Sequence, residues 1–267
     1  MALLTYGETL WFNSIMAKMP VSYSDEFMID YDTVDCESPH RVVEIWLKIK
    51  DMVHFIEPEP CTPADLLLCH SERIVKRVES DSGLFSIARL AAGGAIMSAR
   101  YALQSVPSFA LIRPPGHHAG FDFNGGFCFF NNVAIAVRKL LAGSLIGNAL
   151  IVDIDLHHGN GTFDIFKDDP RVAFRNISAS TRAEFIDLCK EAVKDGARFD
   201  LVACSAGFDT YIKDWGALLL EDDYRRIGHL FASSNRRFFS VLEGGYYIND
   251  LGLNVRAYLK GIEEACS

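Results

Sequence analysis

Three residues of this sequence have the types and spacing of a catalytic metal site. Asp155 and His157 are two positions apart, so their side chains would point to the same side of an extended strand. Asp209 follows another apolar run and supplies a second carboxylate. Two carboxylates and one imidazole suit zinc or ferrous iron, and three protein ligands leave a coordination position open for water and substrate. We therefore predict one catalytic metal ion at these three residues.

Two adjacent histidines, His117 and His118, follow a stiff loop of two prolines and a glycine. Histidine carries protons readily near neutral pH, and the adjacent pair fits proton transfer better than joint binding of one metal ion. An imidazole in such a role needs an acid or an amide to orient it, and Asp153 and Asn160 are the candidates. Tyr246, which follows two glycines, could place its phenol near a developing oxyanion.

Short apolar runs alternate with helical patterns along the middle and C-terminal parts of the chain. The predicted strands are 109–112, 149–153, 172–174, 201–204 and 238–242, and the predicted helices are 89–103, 131–141, 182–193, 222–232 and 250–265. A further helix is expected to begin near Pro39. This alternation predicts an α/β fold in which helices cover both faces of a mostly parallel sheet, with ligands beyond the carboxyl ends of the strands.

The composition excludes several classes of protein. Hydrophobic residues make up 49% of the 267 residues and charged residues 23%, which allows a sizeable core and excludes wholesale disorder. Lys and Arg total 26 against 35 Asp and Glu, a formal net charge of −9, so we expect no direct contact with nucleic acid. Apolar runs fall short of the roughly 18 residues of a membrane span, so we expect no membrane partner.

The sequence also indicates a reducing compartment. Its first residues lack the basic stretch of a signal peptide and meet an acid at Glu8. The seven cysteines are odd in number and include no Cys-x-x-Cys pair, which favours free thiols. We expect a cytoplasmic protein, and its oligomeric state stays open.

Five stretches of the sequence together resemble the histone deacetylase superfamily, which includes acetylpolyamine amidohydrolases and acetoin-utilisation proteins. They are Arg113–Ala119 (RPPGHHA), Gly125–Asn132 (GGFCFFNN), Asp153–Thr162 (DIDLHHGNGT), Ser205–Asp209 (SAGFD) and Glu243–Tyr246 (EGGY). The resemblance begins near Asp35 and reaches the C-terminus, with weaker matches at 37–41 and 64–70. It implies the arginase/deacetylase fold and one catalytic domain over residues 1–267.

The resemblance implies a zinc-dependent amidohydrolase that removes acetyl or other acyl groups from lysine side chains or related amines. Its catalytic zinc ion would be bound by Asp155, His157 and Asp209. Gly126 would offer its carbonyl oxygen to the substrate amide, and Phe127 would line the channel that holds the acyl-lysine.

The family also implies roles for the proton-carrying residues. His118 would be the general base and then the acid for the leaving amine, with His117, paired to Asp153, as its electrostatic partner. Asn160 would face His118 at a position where many members have Asp, and Tyr246 would donate to the oxyanion. The resemblance also implies a structural potassium ion, which the main-chain oxygens of Asp153, Asp155 and His157 would bind, with Ser178 as a further ligand.

The sequence departs from the family after the predicted strand at 172–174. Members commonly have a long segment there with a second channel aromatic, whereas only a few residues separate Phe174 from Thr181 here. We therefore expect one wall of the channel to be open to solvent, or to be filled by another chain or by the N-terminus around Trp11 and Phe12. An open wall would tolerate bulkier acyl groups.

Two other readings remain beside a protein-lysine deacetylase. An arginase-like enzyme with two manganese ions would need carboxylates where this chain has Gly159 and Tyr211. A weakly active acyl-ligand-binding protein on the same scaffold is the third reading, although the retained His118 and Tyr246 argue against it. The sequence leaves open whether the substrate is an acetylated protein, an acetylpolyamine or a small amide.

Overall fold

The central element of the fold is a seven-stranded sheet, seen in a computed structural model that describes residues 18–267. Its strands are β1 (Met19–Ser22), β2 (Val53–Ile56), β3 (Ser108–Ala110), β4 (Ala149–Asp153), β5 (Val172–Asn176), β6 (Val202–Ala206) and β7 (Phe238–Leu242). They run parallel to one another in the order β2-β1-β3-β7-β6-β4-β5. The sheet confirms the predicted α/β fold.

Helices connect the strands, as parallel pairing requires. They are α1 (His40–Ile49), α2 (Pro63–Leu66), α3 (Glu72–Glu79), α4 (Ser82–Leu103), α5 (Asn132–Ala142), α6 (Asn160–Phe166), α7 (Arg182–Val193), α8 (Glu221–Ser234) and α9 (Ile248–Cys266). Two short 3-10 helices lie at Asp25–Met28 and Gly196–Arg198. The helix that was expected to begin near Pro39 is α1, which begins one residue later.

Helices cover both faces of the sheet, as two successive residues of β3 show. Ser108 Oγ donates a hydrogen bond to the main-chain oxygen of Ser98 in α4 at 2.6 Å. The ring of the next residue, Phe109, packs on Tyr258 of α9 with the ring centroids 6.4 Å apart. Because successive strand residues point to opposite faces, α4 and α9 lie on opposite sides of the sheet.

Helix α4 is the one described helix that is long and apolar enough to cross a membrane by length and composition alone. The short apolar runs of the sequence do not predict a helix of this length and apolar composition. In the structure twelve of its 22 residues are buried. A Cβ atom added to Gly93 would lie 1.9 Å from the main-chain oxygen of Glu59, so this helix packs closely against another part of the chain. It is packed as a core helix.

The seven cysteines all lie within residues 18–267, and all are free. Five of them are buried, namely Cys61, Cys69, Cys128, Cys189 and Cys204. Burial raises the pKa of the Cys61 thiol to about 12, and it raises the pKa values of the other four buried thiols as well. These thiols are neutral core groups, as the sequence predicts.

Candidate active site

Four neighbouring strands end at one edge of the sheet and carry the predicted site. In the strand order β3, β7, β6 and β4 stand side by side, so the loops that follow them also lie side by side. These loops carry His117 and His118 after β3, Tyr246 after β7, Asp209 after β6, and Asp155 and His157 after β4. Residues that are more than 120 positions apart in the sequence therefore line one site.

The three predicted metal ligands converge. One potential ligand atom from each of Asp155, His157 and Asp209 lies within 4.8 Å of the other two. His157 Nδ1 is 3.2 Å from Asp155 Oδ1 and 3.0 Å from Asp209 Oδ2. Both carboxylates are buried, while the imidazole is partly exposed. One ion can therefore contact all three side chains from the solvent side.

The reason that the sequence suggested for this convergence is wrong. Strand β4 ends at Asp153, so Asp155 and His157 do not alternate along a strand. Instead, Asp153 Oδ1 accepts a hydrogen bond from the Asp155 main-chain N–H at 3.1 Å, and Asp155 Oδ1 accepts one from the His157 N–H at 2.9 Å. Two successive side-chain turns, rather than the pleat of a strand, direct these side chains.

The electrostatics of the three residues fit a cation. Burial, together with the charge of Asp155, raises the pKa of Asp209 to about 7. Contacts with Asp155 and then with Asp209 raise the pKa of His157 to about 10. Among residues 18–267, Asp209 Oδ2 is a buried acceptor whose one near polar neighbour, His157 Nδ1 at 3.0 Å, does not have the geometry of a hydrogen bond. A buried acceptor without a partner is unfavourable, and a divalent ion would satisfy it, so this donor set fits zinc.

Backbone packs directly on the two carboxylates. A Cβ atom added to Gly207 would lie 2.3 Å from Asp155 Oδ2, and one added to Gly244 would lie 2.6 Å from the same oxygen. The main-chain N–H of Gly244 also donates to Asp155 Oδ2 at 2.8 Å. Only glycine permits this approach, and it fixes the carboxylate of Asp155 in place.

His118 is oriented as a base. Its Nδ1 lies 2.6 Å from the amide oxygen of Asn160. Because an amide oxygen only accepts hydrogen bonds, Nδ1 carries the proton and Nε2 of the neutral ring is free to accept another. Burial, followed by the charge of His117, lowers the pKa of His118 below its usual value. The ring is therefore neutral at pH 7.

His117 has the opposite character. Its Nδ1 lies 3.0 Å from Asp153 Oδ2, and its Nε2 lies 3.7 Å from Asp155 Oδ1. Although burial favours the neutral ring, the charges of Asp155 and Asp153 raise the pKa of His117 well above its usual value. Its ring centroid is 4.1 Å from that of His118. The buried histidine holds the charge, and its neighbour stays available as a base.

The loop that carries Gly126 and Phe127 closes over His118. Gly126 has φ of 56°, and a Cβ atom there would lie 2.3 Å from His118 Cδ2. Phe127 has φ of 66°, a left-handed conformation that costs energy for a residue with a side chain. Its ring lies edge-on to Tyr246 with the centroids 6.0 Å apart. Both predicted substrate-binding residues therefore border the pocket beside His118.

Glu243 belongs to the site, although no role for it follows from the sequence. Its Oε2 accepts hydrogen bonds from the main-chain N–H groups of Gly116 at 2.7 Å and His117 at 3.1 Å. Its Oε1 accepts one from Ser205 Oγ at 3.1 Å. Burial raises the pKa of Glu243 to about 7. An acid directly after an apolar strand was the available signal, and this one ties the histidine loop to β7.

Arg41 is a second residue without a predicted role. Its Nε donates to the main-chain oxygen of Gly245 at 2.7 Å, and its guanidinium lies 5.0 Å from the ring centroid of Tyr246. Glu37 pairs with Arg41 at 3.0 Å, and both side chains are fully buried. The weak family match at 37–41 was the signal in the sequence. The buried pair fixes the loop that presents Tyr246.

A pocket of about 110 Å³ lies in front of these side chains. Its lining residues are Pro115, His117, His118, Gly126, Phe127, His157, Trp215, Gly244 and Tyr246. Trp215 was not predicted. Its indole stacks on the Tyr246 ring with the centroids 4.2 Å apart and the planes 24° apart. The pocket admits a small group such as acetyl next to the predicted metal ligands.

Ser178, the further predicted potassium ligand, lies two residues beyond the end of β5. Ser178 is exposed beyond the end of β5, whereas Asn176 is the register partner of Asp153. Asn176 Oδ1 accepts a hydrogen bond from the Gly159 N–H at 2.9 Å, and the main-chain oxygen of Asp153 accepts one from Ile177. Asn176 is therefore a polar side chain beside the end of β4 that the sequence did not suggest.

Neither Gly159 nor Tyr211 supplies a ligand for an arginase-like second metal ion. A Cβ atom at Gly159 would lie 2.1 Å from Asp153 Oδ2, so a carboxylate has no room there. Tyr211 donates its hydroxyl hydrogen to Asp250 Oδ2 at 2.9 Å instead.

Another group of potential ligand atoms, on His117, Cys128 and Glu243, is buried behind the pocket. Burial raises the pKa of the Cys128 thiol well above its usual value, so the thiol stays protonated. The Glu243 carboxylate is already occupied by hydrogen bonds from main-chain N–H groups. This group therefore holds the histidine loop and is a poor metal site.

Comparison with known proteins identifies similar sequences and folds. A family model described as the histone deacetylase domain matches residues 35–185. A probable deacetylase of Methanothermobacter thermautotrophicus is 31% identical over 261 residues, which cover 78% of this chain and 79% of the relative. An acetylpolyamine amidohydrolase of Mycoplana ramosa is 35% identical over 192 residues, which cover 58% of this chain and only 56% of that enzyme.

A solved structure shares the fold. The crystal structure of the HDA15 HD domain superposes with a TM-score of 0.84 and covers 93% of this chain and 90% of that chain. The sequence identity is 22%, so this likeness concerns the fold alone.

Proposed function

The chain belongs to the histone deacetylase family, and we propose that it is a zinc-dependent amidohydrolase that removes acetyl or other acyl groups from lysine side chains or related amines. The observation that carries this proposal is the convergence of Asp155, His157 and Asp209, in which the buried Asp209 Oδ2 accepts no hydrogen bond, beside the neutral His118. The reaction is hydrolysis of a linear amide C–N bond. We propose that residues 1–267 form one cytoplasmic catalytic domain.

The three ligand residues would hold one zinc ion, which when bound supplies Lewis acidity toward the amide oxygen and the attacking water. His118 Nε2 accepts a proton from the attacking water and later returns it to the leaving amine. Its Nδ1 stays fixed on Asn160, which keeps Nε2 directed into the pocket. His117, held by Asp153, keeps a positive charge 4.1 Å from the His118 ring and favours the neutral base.

Tyr246 and Gly126 bind the amide group of the substrate. The Tyr246 hydroxyl donates a hydrogen bond to the oxygen that becomes negative as the carbonyl is attacked. Burial raises the pKa of Tyr246 far above its usual value, so the phenol keeps the proton that it must donate. Gly126 borders the pocket beside His118, and its carbonyl oxygen accepts a hydrogen bond from the substrate N–H.

The substrate class stays open between acetyl-lysine and acetylpolyamines. Some relatives are named deacetylases and others acetylpolyamine amidohydrolases, and the chain covers about half the length of the latter. The pocket is small, and the protein carries a formal net charge of −9. A negatively charged protein attracts a cationic amine of either kind. The proposal includes no direct contact with nucleic acid and no membrane partner.

Turnover with and without a chelator tests the proposed function. Zinc-loaded protein should hydrolyse a fluorogenic acetyl-lysine peptide or an acetylpolyamine, lose this activity in chelator, and regain it with about one equivalent of zinc. Activity that persists in chelator would contradict the proposal. A requirement for two manganese ions would favour the arginase-like reading, and binding of acetyl-lysine without turnover would favour the acyl-ligand-binding protein.

The variant Tyr246→Phe should lower kcat by about 10²-fold or more, because it removes one donor to the oxyanion. Phenylalanine keeps the ring that packs on Trp215 and Phe127, so the fold and KM should change little. Steady-state kinetics on the preferred substrate measure this effect. The neighbouring Tyr247→Phe, whose ring faces Lys213, is the matched control and should retain kcat. A Tyr246→Phe enzyme with wild-type kcat would remove this phenol from the mechanism.

A further inference from the structure

The loop of residues 120–127 carries both predicted substrate-binding residues. Gly126 and Phe127 border the pocket of about 110 Å³. Only five residues connect β5 to α7, where family members commonly have a second channel aromatic, and none of them borders this pocket. The alternative that Trp11 and Phe12 fill this gap concerns residues outside those that the structure describes. The shape of the pocket therefore depends on the backbone of loop 120–127.

Loop 120–127 contains Asn124-Gly125, one of the two Asn-Gly dipeptides of the sequence, and the other is Asn160-Gly161. In an Asn-Gly dipeptide the glycine nitrogen can attack the side-chain amide carbon of the asparagine, because glycine has no side chain to block the approach. A C–N bond forms, the bond from that carbon to the amide nitrogen breaks, and ammonia leaves with the glycine proton. The product of this step is a five-membered cyclic imide.

Water then opens the imide at either of its two carbonyl carbons. Hydrolysis at the side-chain carbonyl restores the original peptide linkage and leaves aspartate. Hydrolysis at the main-chain carbonyl leaves isoaspartate, in which the chain continues through the former side chain and is one carbon atom longer. The net reaction consumes one water molecule and releases one ammonia molecule, so it needs no other reactant.

The fold protects Asn160-Gly161 from this reaction. The N–H of Gly161 donates to the main-chain oxygen of His117 at 3.0 Å, and a Cβ atom added to Gly161 would lie 2.4 Å from the main chain of Ala119. Asn160 is the first residue of α6, and its amide oxygen lies 2.6 Å from His118 Nδ1. The attack therefore requires local unfolding of a packed and hydrogen-bonded helix start.

Asn124-Gly125 lacks this protection. Gly125 is exposed, and a Cβ atom added to it would meet no atom of any described residue beyond its chain neighbours within 4 Å. The half-buried Asn124 side chain takes part in none of the side-chain hydrogen bonds among residues 18–267. The Gly125 oxygen accepts a hydrogen bond from the Cys128 N–H at 2.9 Å in an isolated bridge, but the Gly125 N–H donates to no main-chain oxygen in the same part of the chain. The reacting nitrogen and carbon are therefore accessible in the folded protein.

We propose that Asn124 is a site of spontaneous deamidation, and that isoaspartate at this position disables the pocket. The lengthened chain displaces the turn that follows. This turn is tightly constrained, because Gly126 and Phe127 have φ of 56° and 66° and a Cβ atom at Gly126 would lie 2.3 Å from His118 Cδ2. Aspartate at position 124 keeps the chain length and leaves the turn in place. The isoaspartate form also becomes a substrate for enzymes that methylate isoaspartyl carboxylates.

Peptide mass spectrometry of the full chain, kept folded in mildly alkaline buffer, tests the modification. The peptide with Asn124 should gain the mass difference between a hydroxyl and an amino group, and it should accept a methyl group from an isoaspartyl methyltransferase. The peptide with Asn160 should react about tenfold more slowly, because its hydrogen bonds must open first. In urea both dipeptides should react at similar rates. A folded protein in which Asn124 reacts no faster than Asn160 would overturn the proposal.

The variant Gly125→Ala supplies the matched control. A Cβ atom fits at this position, so the fold and the starting turnover should match the wild type, while the methyl group hinders attack on Asn124. Asn124→Asp adds the charge without lengthening the chain, and it should also start with wild-type turnover. Turnover by the ageing wild type should fall in proportion to its isoaspartate content, whereas Gly125→Ala should keep its turnover over the same time. Full turnover by a protein rich in isoaspartate would exclude the effect on the pocket.

Hydrogen exchange gives a readout that does not depend on amide hydrolysis. The Cys128 N–H closes the turn on the Gly125 oxygen at 2.9 Å. Its exchange should be faster in aged wild type than in aged Gly125→Ala, and unchanged exchange in a protein rich in isoaspartate would contradict displacement of the turn. If the protein hydrolyses no acetylated amine, the proposed function fails, and mass spectrometry and hydrogen exchange still decide this inference.

Discussion

Replacement of His118 with alanine is expected to abolish turnover of acetylated amines while the metal ion stays bound. General bases contribute about 10² to 10⁴-fold to such reactions, so kcat should fall by at least 10²-fold. His118 lies outside the cluster of Asp155, His157 and Asp209, so zinc content and zinc affinity should be unchanged. Steady-state kinetics and elemental analysis of the same preparation measure the two effects separately.

Two companion variants give this prediction its controls. The ring of His158, the residue after His157, packs on Phe163 and Phe174. The variant His158→Ala should therefore retain most of the activity. Asn160→Asp puts a carboxylate on His118 Nδ1, which favours the protonated ring and raises its pKa. Because the base acts when neutral, the acidic limb of the rate profile should move to higher pH. A His118→Ala enzyme with near wild-type kcat would exclude His118 as the base.

Much of the fold follows from local sequence patterns. The bounds of β4 and β7, and of α7, agree with the prediction because each is a continuous apolar run or a clear helical pattern between turn residues. Strands β1 and β2 were not predicted. Each has four residues, β1 contains Pro20 and β2 contains His54, so neither forms an apolar run. Their pairing depends on partners elsewhere in the chain.

The residues of the site also divide into those that the sequence identifies and those that only the structure identifies. Motifs with chemically distinctive residues, such as Asp155 and His157, can be identified in the sequence, and the structure brings these residues together with Asp209. Glu243 and Trp215 could not be assigned, because their roles depend on contacts with distant residues. The carboxylate of Glu243 contacts the backbone 126 and 127 positions away, and Trp215 stacks on a ring 31 positions further along. Sequence spacing does not reveal such contacts.

The variant Asp209→Ala is expected to lose both the metal ion and the activity. It removes one of three protein ligands, and two ligands do not hold a catalytic ion against a chelator. Elemental analysis after dialysis should give far less than one equivalent of zinc, and turnover should fall to background. Asp250→Ala is the control, because this carboxylate lies after β7 and binds Tyr211 and Lys213 instead. Retention of one tightly bound zinc ion by Asp209→Ala would exclude Asp209 as a ligand.

The same substitution should change how stability depends on pH when zinc is absent. The pKa of Asp209 is raised to about 7 and that of His157 to about 10, so the folded protein binds more protons than the unfolded chain between about pH 4 and pH 10. The contribution of these two groups to the free energy of unfolding therefore falls as pH rises through that range. Asp209→Ala removes one group and weakens the pKa shift of the other, so the stability of the metal-free variant should fall less as pH rises.

Urea unfolding of chelated proteins between pH 5 and pH 9 measures this difference. Zinc should restore stability to the wild type at high pH but not to the variant, and equal pH slopes in the two metal-free proteins would contradict this account of the buried carboxylates.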